Sequence, residues 1–323
     1  MKSIAYIIPY FGKFPNIFPL WLISCKHNPD INWILFTDDR RPFDYPPNVK
    51  VNYCSFADMR DKIQKCFDFK IELEYPYKLC DYRVAYGEIF KEELKNYDFW
   101  GYCDIDLLWG NIRKFYTDEI LSSYEKIGFQ GHSTLYKNTP SVNALYKTKI
   151  DAAPTYREIF TSNKNLFFDE DIICKIYGAL GVKYFKETVF AHLNRYSYGF
   201  YLKFLDPRFD YKNKRQIFAL KDGTLTRMYL DGGSVKTEEF MYIHFFSRPM
   251  EVAGCGLKDS SRYVIIPNKI IEDNETELDS KYIKRYGKKG ALSHYWRCFI
   301  QHRKKITPRK LLSALKNQIK NAK

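Results

Sequence analysis

The chain has 323 residues, 45% of them apolar and 18% aromatic, with a formal net charge of +14. That content excludes a disordered or low-complexity chain and supports a sizeable core, as one large domain or one domain with an appendage. Residues 281–323 hold 14 Lys and Arg and no Asp or Glu, so residues 1–280 balance 38 basic against 38 acidic groups and the whole excess charge lies in the tail.

Ile4 to Tyr10 is a continuous apolar run, as in a strand buried on both faces, and the loop Phe11-Gly12-Lys13-Phe14-Pro15 follows it. Residues 16–27 read as helix, Asn32 to Thr37 as a second strand ending in Asp38-Asp39, Val49 to Tyr53 as a third strand and residues 56–67 as helix. Strand, helix, strand implies a parallel sheet. Tyr82, Tyr86, Ile89 and Phe90 fall at helical spacing within Tyr77 to Leu94, which leads into a strand ending at Asp104-Ile105-Asp106. Residues 126–136 have strand character, 141–161 read mostly as helix, and Asp222-Gly223 between two apolar runs signals a hairpin over Ile217 to Tyr229. Phe240 to Phe246 is the last strand. Eight scattered cysteines without Cys-x-x-Cys pairs fit reduced thiols in a cytosolic protein. The short apolar run after Met1-Lys2, broken at Pro9, is too brief for a signal peptide or a membrane span.

The chemistry centres on Tyr97 to Gly110, where an apolar, aromatic approach ends in two carboxylates one residue apart. Side chains alternate along a strand, so Asp104 and Asp106 are expected on one side with Ile105 on the other. Open α/β sheets bind ligands beyond the carboxyl ends of their strands, and two hard oxygen ligands there suit a divalent cation that grips a diphosphate. A surface turn is the other reading of any Asp-x-Asp. His244 lies in the last apolar strand, as a core histidine or as a third ligand, and Ser247-Arg248-Pro249 then turns the chain and brings a cation suited to phosphate.

These pieces, in this order, resemble the GT-A fold glycosyltransferases, closest to bacterial galactosyltransferase-like enzymes of lipopolysaccharide and capsular polysaccharide assembly. The resemblance rests on the Ile4–Tyr10 strand, Tyr77-Lys78-x-x-Asp81-x-Arg83, Asp104-Ile105-Asp106 and the late His244-Phe245 before Arg248-Pro249, and it covers residues 1 to about 250. It implies a Rossmann-like α/β fold with a mostly parallel sheet flanked by helices, a small β-hairpin region and a basic helical tail. The catalytic domain would span residues 1–280, with a nucleotide-sugar half to about 136 and an acceptor half from about 137. Asp104, Asp106 and His244 would hold Mn2+ or Mg2+, the imidazole favouring manganese. Pro9 and Tyr10 on the first strand, and Asp38 and Asp39 on the second, would meet the nucleotide of a UDP-linked sugar; Asp-Asp is equally an ordinary turn. Lys78, Asp81 and Arg83 would approach the donor or the metal motif, or else form a solvated helix face. Gly131 and His132 would line the sugar pocket, with Arg248 at the phosphates and Asp104 also at the ribose. Asp169, Glu170 and Asp171 fall where the fold places residues that contact the donor sugar or activate the acceptor; Asp169 reads equally as a helix N-cap.

In the tail, Leu292, Tyr295, Trp296, Phe299 and Ile300, and after Thr307-Pro308 Leu311, Leu312, Leu315 and Ile319, fall at helical spacing with basic residues between. Such helices lie on anionic membranes, which places the enzyme in the cytoplasm against the inner face of the cell membrane, acting on a lipid-linked or cell-surface glycan. A docked helix pair is the alternative. Two rival functions remain: another metal-dependent nucleotide enzyme such as a nucleotidyltransferase, which no glycine-rich phosphate loop supports, and a nucleic-acid-binding protein using the tail, which the neutral body does not favour.

Overall fold

The Ile4–Tyr10 run forms strand β1, buried through Ile8, as its branched and aromatic side chains require. The computed structural model describes residues 1–195, 197–204, 214–253, 257–288, 296 and 300. Two units divide the chain, one of residues 1–105 and 113–187 and the other of residues 106–112 and 188–323. Because they interleave in sequence, no single cut near residue 136 separates them.

In chain order the first unit contributes β1, β2 (Ile31–Thr37), β3 (Val49–Tyr53) and β4 (Phe99–Cys103) before the second unit receives β5 (Leu107–Trp109). The first unit resumes with β6 (Lys126–Gln130), β7 (Ser133–Lys137) and β8 (Tyr184–Phe185). Its sheet has the order β3-β2-β1-β4-β7-β6-β8. The β1, β2, β3 and β4 pairings are parallel, those of β7 with β4 and β6 are antiparallel, and β8 is parallel to β6. Strand order reverses at β1, whose neighbours are β2 and β4, so the crevice beyond the carboxyl ends of β1 and β4 is the switch point of the sheet. Pro9 sits past Tyr6, the last β1 residue paired with β4, so its missing N–H opens no gap on that side.

Three local expectations change. Residues 126–136 form a hairpin, not one strand, because Gly128 takes φ +98° at a bulge and Gly131-His132 makes the turn. Tyr77 to Leu94 is a chain of short turns, Pro76–Lys78, Leu79–Tyr82, Arg83–Ala85, Tyr86–Ile89 and Lys91–Leu94. The segment is closely packed: a Cβ on Gly87 would come 2.6 Å from Trp100 Nε1, and Trp100 stacks on Tyr136. Residues 141–161 break into Pro140–Ala144, Leu145–Lys147 and Tyr156–Phe160, since Pro154 bars helix at the residue before it.

The second unit adds β9 (Ala191–Leu193), β10 (Leu202–Lys203), β11 (Gln216–Lys221), β12 (Thr224–Asp231), β13 (Ser234–Phe240), β14 (Tyr242–His244), β15 (Glu251–Ala253), β16 (Tyr263–Ile266) and β17 (Lys269–Glu272). The expected hairpin is part of a six-stranded sheet, β13-β12-β11-β16-β17-β15. Its Asp222 and Gly223 both take positive φ (48° and 73°), the turn in which Asp-Gly matches strand twist. The expected Phe240–Phe246 strand is divided at Met241: β13 ends in the six-stranded sheet, and β14 lies between β9 and β5 in a four-stranded one.

A helix at Ser280–Tyr286, capped by Asp279, closes the continuously described chain. Apart from its first residues, Trp296 and Ile300, the expected helical tail lies outside the described residues. Among the described residues no helix is long and apolar enough to cross a membrane, and Cys25, Cys54, Cys66, Cys80, Cys103 and Cys174 are free thiols.

Two glycines test the packing of the first unit. A Cβ on Gly101 would overlap Thr134 O and come 2.6 Å from Leu135 Cδ2 across the β4–β7 pair, whereas one on Gly178, within helix Ile173–Ala179, meets nothing within 4 Å. Gly101→Ala is expected to cost about 1–3 kcal/mol and Gly178→Ala to add up to about 1 kcal/mol. Denaturant midpoints of the two variants check both signs.

Candidate active site

Asp104 and Asp106 do not share a strand. β4 ends at Cys103, and Ile105-Asp106 forms a bend at the boundary of the two units. Strand alternation therefore does not set the direction of the carboxylates; each is placed by hydrogen bonds within its own unit.

In the first unit, Asp104 N–H donates to His132 O at 3.0 Å, continuing the β4–β7 ladder by one rung into the Gly131-His132 turn. Its Oδ1 accepts from Arg83 Nη2 at 2.6 Å. The other arm of the same guanidinium, Nη1, donates to Gly131 O at 2.6 Å and Asp169 Oδ2 at 3.0 Å, and the group lies 5.2 Å from the centre of the Tyr102 ring. Tyr102 hydroxyl in turn donates to Asp169 O at 3.0 Å. A guanidinium largely withdrawn from water, 16% exposed here, needs anionic or dipolar partners, and two carboxylates and a carbonyl supply them. Gly131 sits close to this junction: a Cβ there would come 2.8 Å from Asp169 Oδ2 and 3.0 Å from Glu170 Oε1, so a side chain would displace one of these carboxylates.

Asp169 and Glu170 lie on a π-helical turn, Phe168–Ile172, that departs from ordinary geometry. Glu170 has φ −114° and ψ −105°, and Phe167 before the turn is left-handed at φ 57° although it is not glycine. Strain of this kind persists where surrounding contacts over-determine it. Asp169 does not cap a helix; its carboxylate is buried and faces Arg83. Burial raises its pKa to about 7 against the pull of Arg83, and the neighbouring Glu170 and Asp104 charges add to the rise. Burial, and then Asp104, also raises that of Glu170. Asp171 is exposed.

Other expected donor contacts have interior roles. The three Lys78 ammonium donors go to Asp81 Oδ2 (2.7 Å), Ile159 O (3.1 Å) and Lys164 O (2.6 Å), with both ion-pair partners essentially inaccessible. Asp81 also accepts from Leu166 and Phe168 N–H, so the pair anchors the segment leading to Asp169. At the carboxyl ends of β1 and β2, Asp38 accepts from Gly12 N–H (2.7 Å), and Asp39 accepts from Phe14 N–H (2.9 Å) and the Arg41 guanidinium. Arg41 holds the Asp39 carboxyl well below the usual range. The acidic pair thus shapes the 11–15 loop, where Tyr10 hydroxyl donates to Lys13 O at 3.2 Å beside Pro9.

In the second unit, His244 closes β14 with Nε2 3.2 Å from Asp106 Oδ1 and Nδ1 3.0 Å from His192 Nδ1. Both imidazoles are buried. The turn Phe245–Arg248, closed by Arg248 N–H donating to Phe245 O at 3.0 Å, carries Phe246 and Ser247 at φ 53° and 54°. Glycine or asparagine is the usual occupant of both positions, so this turn is strained. It aims Ser247 N–H at Asp106 Oδ2, 2.5 Å away, while Phe245 N–H donates to Asp106 O at 2.9 Å. Arg248 is buried, donating to Asn268 Oδ1 at 2.9 Å and to the carbonyls of Tyr198 and Gly199, which makes it an internal tie and not an exposed phosphate ligand. His192 was not legible as a site residue: Ala191-His192-Leu193 is too short an apolar run to stand out.

Adjacent ligands of an octahedral cation at about 2.1 Å stand about 3 Å apart, so the 3.2 Å separation of Asp106 Oδ1 and His244 Nε2 suits two ligands of one ion. A carboxylate with an imidazole is a donor set that could hold a divalent cation. The sequence profile described as "Family of unknown function (DUF6625)" matches residues 6–274. The chain belongs to this family. No curated protein matches it. Among solved structures, this DUF6625 chain is similar to the crystal structure of mouse Xyloside xylosyltransferase 1 in its apo form, at 12% sequence identity and a TM-score of 0.31, over 60% of this chain and 88% of that one. A likeness at that level decides neither fold nor activity.

Asp169 gives the DUF6625 chain a pH signature. Its folded pKa of about 7 lies above the ordinary 3.8, so the unfolded chain releases this proton first. The stability tied to the protonated carboxyl is complete below about pH 4 and is lost as pH rises through about 7. Asp169→Asn should therefore gain stability relative to the native chain as pH climbs through that window. Denaturant unfolding of both proteins at its two limits checks this, and parallel curves would show that Asp169 titrates normally.

Proposed function

We propose that the protein is a metal-dependent glycosyltransferase that moves a hexose from a nucleotide diphosphate sugar, UDP-linked, to a lipid-linked or cell-surface glycan such as those of lipopolysaccharide or capsule assembly. The observation that carries this reading is the pairing of Asp106 with His244 at 3.2 Å, two residues along the chain from an Asp104 that is already fixed by Arg83 at 2.6 Å. Asp104, Asp106 and His244 are the proposed ligands of Mn2+ or Mg2+. A cation held there supplies charge to the departing diphosphate, where negative charge develops in the transition state. Arg83 supplies a fixed positive group on the Asp104 side, and its second arm keeps Asp169 oriented. Asp169, whose carboxyl burial pushes up to about 7, and Glu170, which burial also raises, are the groups proposed to handle the acceptor hydroxyl proton. The carboxyl ends of β1 and β2, with Pro9, Tyr10 and the loop shaped by Asp38 and Asp39, are the proposed nucleotide side, in keeping with the switch-point position of β1. Gly131 and His132, in the turn hydrogen-bonded to Arg83 and Asp104, are proposed to line the sugar pocket.

Asp106→Ala is expected to abolish Mn2+-dependent UDP binding in calorimetry and turnover with nucleotide sugars, while its circular dichroism and melting cooperativity stay native. Undiminished turnover in excess chelator would overturn the metal-dependent reading.

The basic segment from 281 to 323 is proposed as an attachment to anionic membrane. Attraction to an anionic leaflet is on the order of 1 kcal/mol per basic residue near the surface, so engagement of a fraction of its 14 basic groups suffices for binding that weakens with salt. Truncation at residue 288 should remove co-sedimentation with anionic vesicles and leave UDP binding intact. Equal partitioning of full-length and truncated protein would assign the tail another role.

A further inference from the structure

The contact between the two buried imidazoles constrains their protons. Nδ1 of His244 and Nδ1 of His192 are 3.0 Å apart, and such a contact needs one N–H and one lone pair. On its other side His244 Nε2 faces the Asp106 carboxylate, an acceptor, at 3.2 Å. In the ion-free protein His244 therefore carries its proton on Nε2 and donates to Asp106, and its Nδ1 lone pair accepts from His192 Nδ1–H. A histidine that ligates through Nε2 must present a lone pair there and carry its proton on Nδ1, where an acceptor is needed.

We infer that His192 is the positioning residue of the metal site: it switches from donor to acceptor as His244 changes tautomer, so that His244 ligates a divalent cation without leaving a buried N–H unsatisfied. The inference rests on the reading of Asp106 and His244 as ligands. Proton count is conserved, each ring keeping one: the His244 proton passes from Nε2 to Nδ1, and that of His192 from Nδ1 to Nε2. Packing favours a role for this ring beyond filling space. His192 lies 4.8 Å from the Phe246 ring and 5.2 Å from that of Phe204, and Phe246 is itself held at φ 53° in the strained turn that orients Ser247 N–H toward Asp106. Phe246, which packs on the His192 ring, and Ser247, whose N–H meets the carboxylate, belong to one turn.

Two measurements on the full-length chain decide the matter. Long-range 15N–1H correlation of the imidazoles in the metal-free wild type should show His192 protonated at Nδ1 and His244 at Nε2; the reverse assignment would remove the switch. Titration with Mn2+, followed by the EPR signal of free ion, should show affinity falling about 10- to 100-fold in His192→Phe, which keeps an aromatic ring but offers no acceptor. His192→Asn, whose carbonyl accepts a hydrogen bond, should recover most of the loss. A wild type that binds no Mn2+ overturns the metal reading and this inference together. Equal Mn2+ affinity in wild type and His192→Phe overturns only the role of His192.

Discussion

The first unit is organised around a half-buried guanidinium. Arg83 lies within the sheet-flanking turns, and a charge there is tolerated only with anionic or dipolar partners at hydrogen-bond distance. Asp104, Asp169 and Gly131 O meet that need from three separate parts of the chain, the end of β4, the π-helical turn and the β6–β7 turn. Much of the local architecture follows. The Asp169 and Glu170 carboxylates lie against Gly131, where a Cβ would displace one of them, and the Phe168–Ile172 turn leaves regular helix geometry while Asp169 faces the guanidinium. The Lys78–Asp81 pair is a second buried charge arrangement, and it holds the segment that enters that turn. One acid, Asp169, ends up with less cation than a full ion pair would supply, since Arg83 is shared. Burial then outweighs attraction and its proton affinity rises.

The second unit spends conformational strain in a different way. Two consecutive non-glycine residues, Phe246 and Ser247, hold left-handed backbone so that a main-chain N–H meets Asp106. Just before this turn β14 is paired with β5 on one side and β9 on the other, which keeps His244 close to Asp106 and His192. Strained turns anchored by paired strands are a means of holding polar side chains in fixed positions.

The importance of the segment around Asp104 and Asp106 was visible in sequence, though its geometry was not. An apolar run ending in Asp-x-Asp announces a buried strand that delivers carboxylates, and β4 is such a strand. Alternation then predicts two side chains on one face. The chain bends instead, because its hydrogen-bond partners change after Cys103: Asp104 N–H joins the β6–β7 turn, and Asp106 O accepts from Phe245 N–H. Lys78, Asp81 and Arg248 show the converse. Charged residues beside a motif look like ligand contacts in one dimension, whereas their partners, the carbonyls of Ile159, Lys164, Tyr198 and Gly199, are dozens of residues away.

What the sequence determined by itself was what depends on neighbours along the chain. Apolar runs marked β1, β2 and β4, Asp222-Gly223 marked its hairpin, and the order strand, helix, strand implied parallel pairing around β1, because these rest on local period, turn chemistry and connection length. Tertiary structure alone decided which charges are buried, where residues 126–136 fold back on themselves, how Tyr77 to Leu94 breaks into turns, and that His192 stands against His244. Each of these is set by contacts between residues far apart in sequence, whose energies of burial, clash and hydrogen bonding exceed the local preferences that a sequence displays.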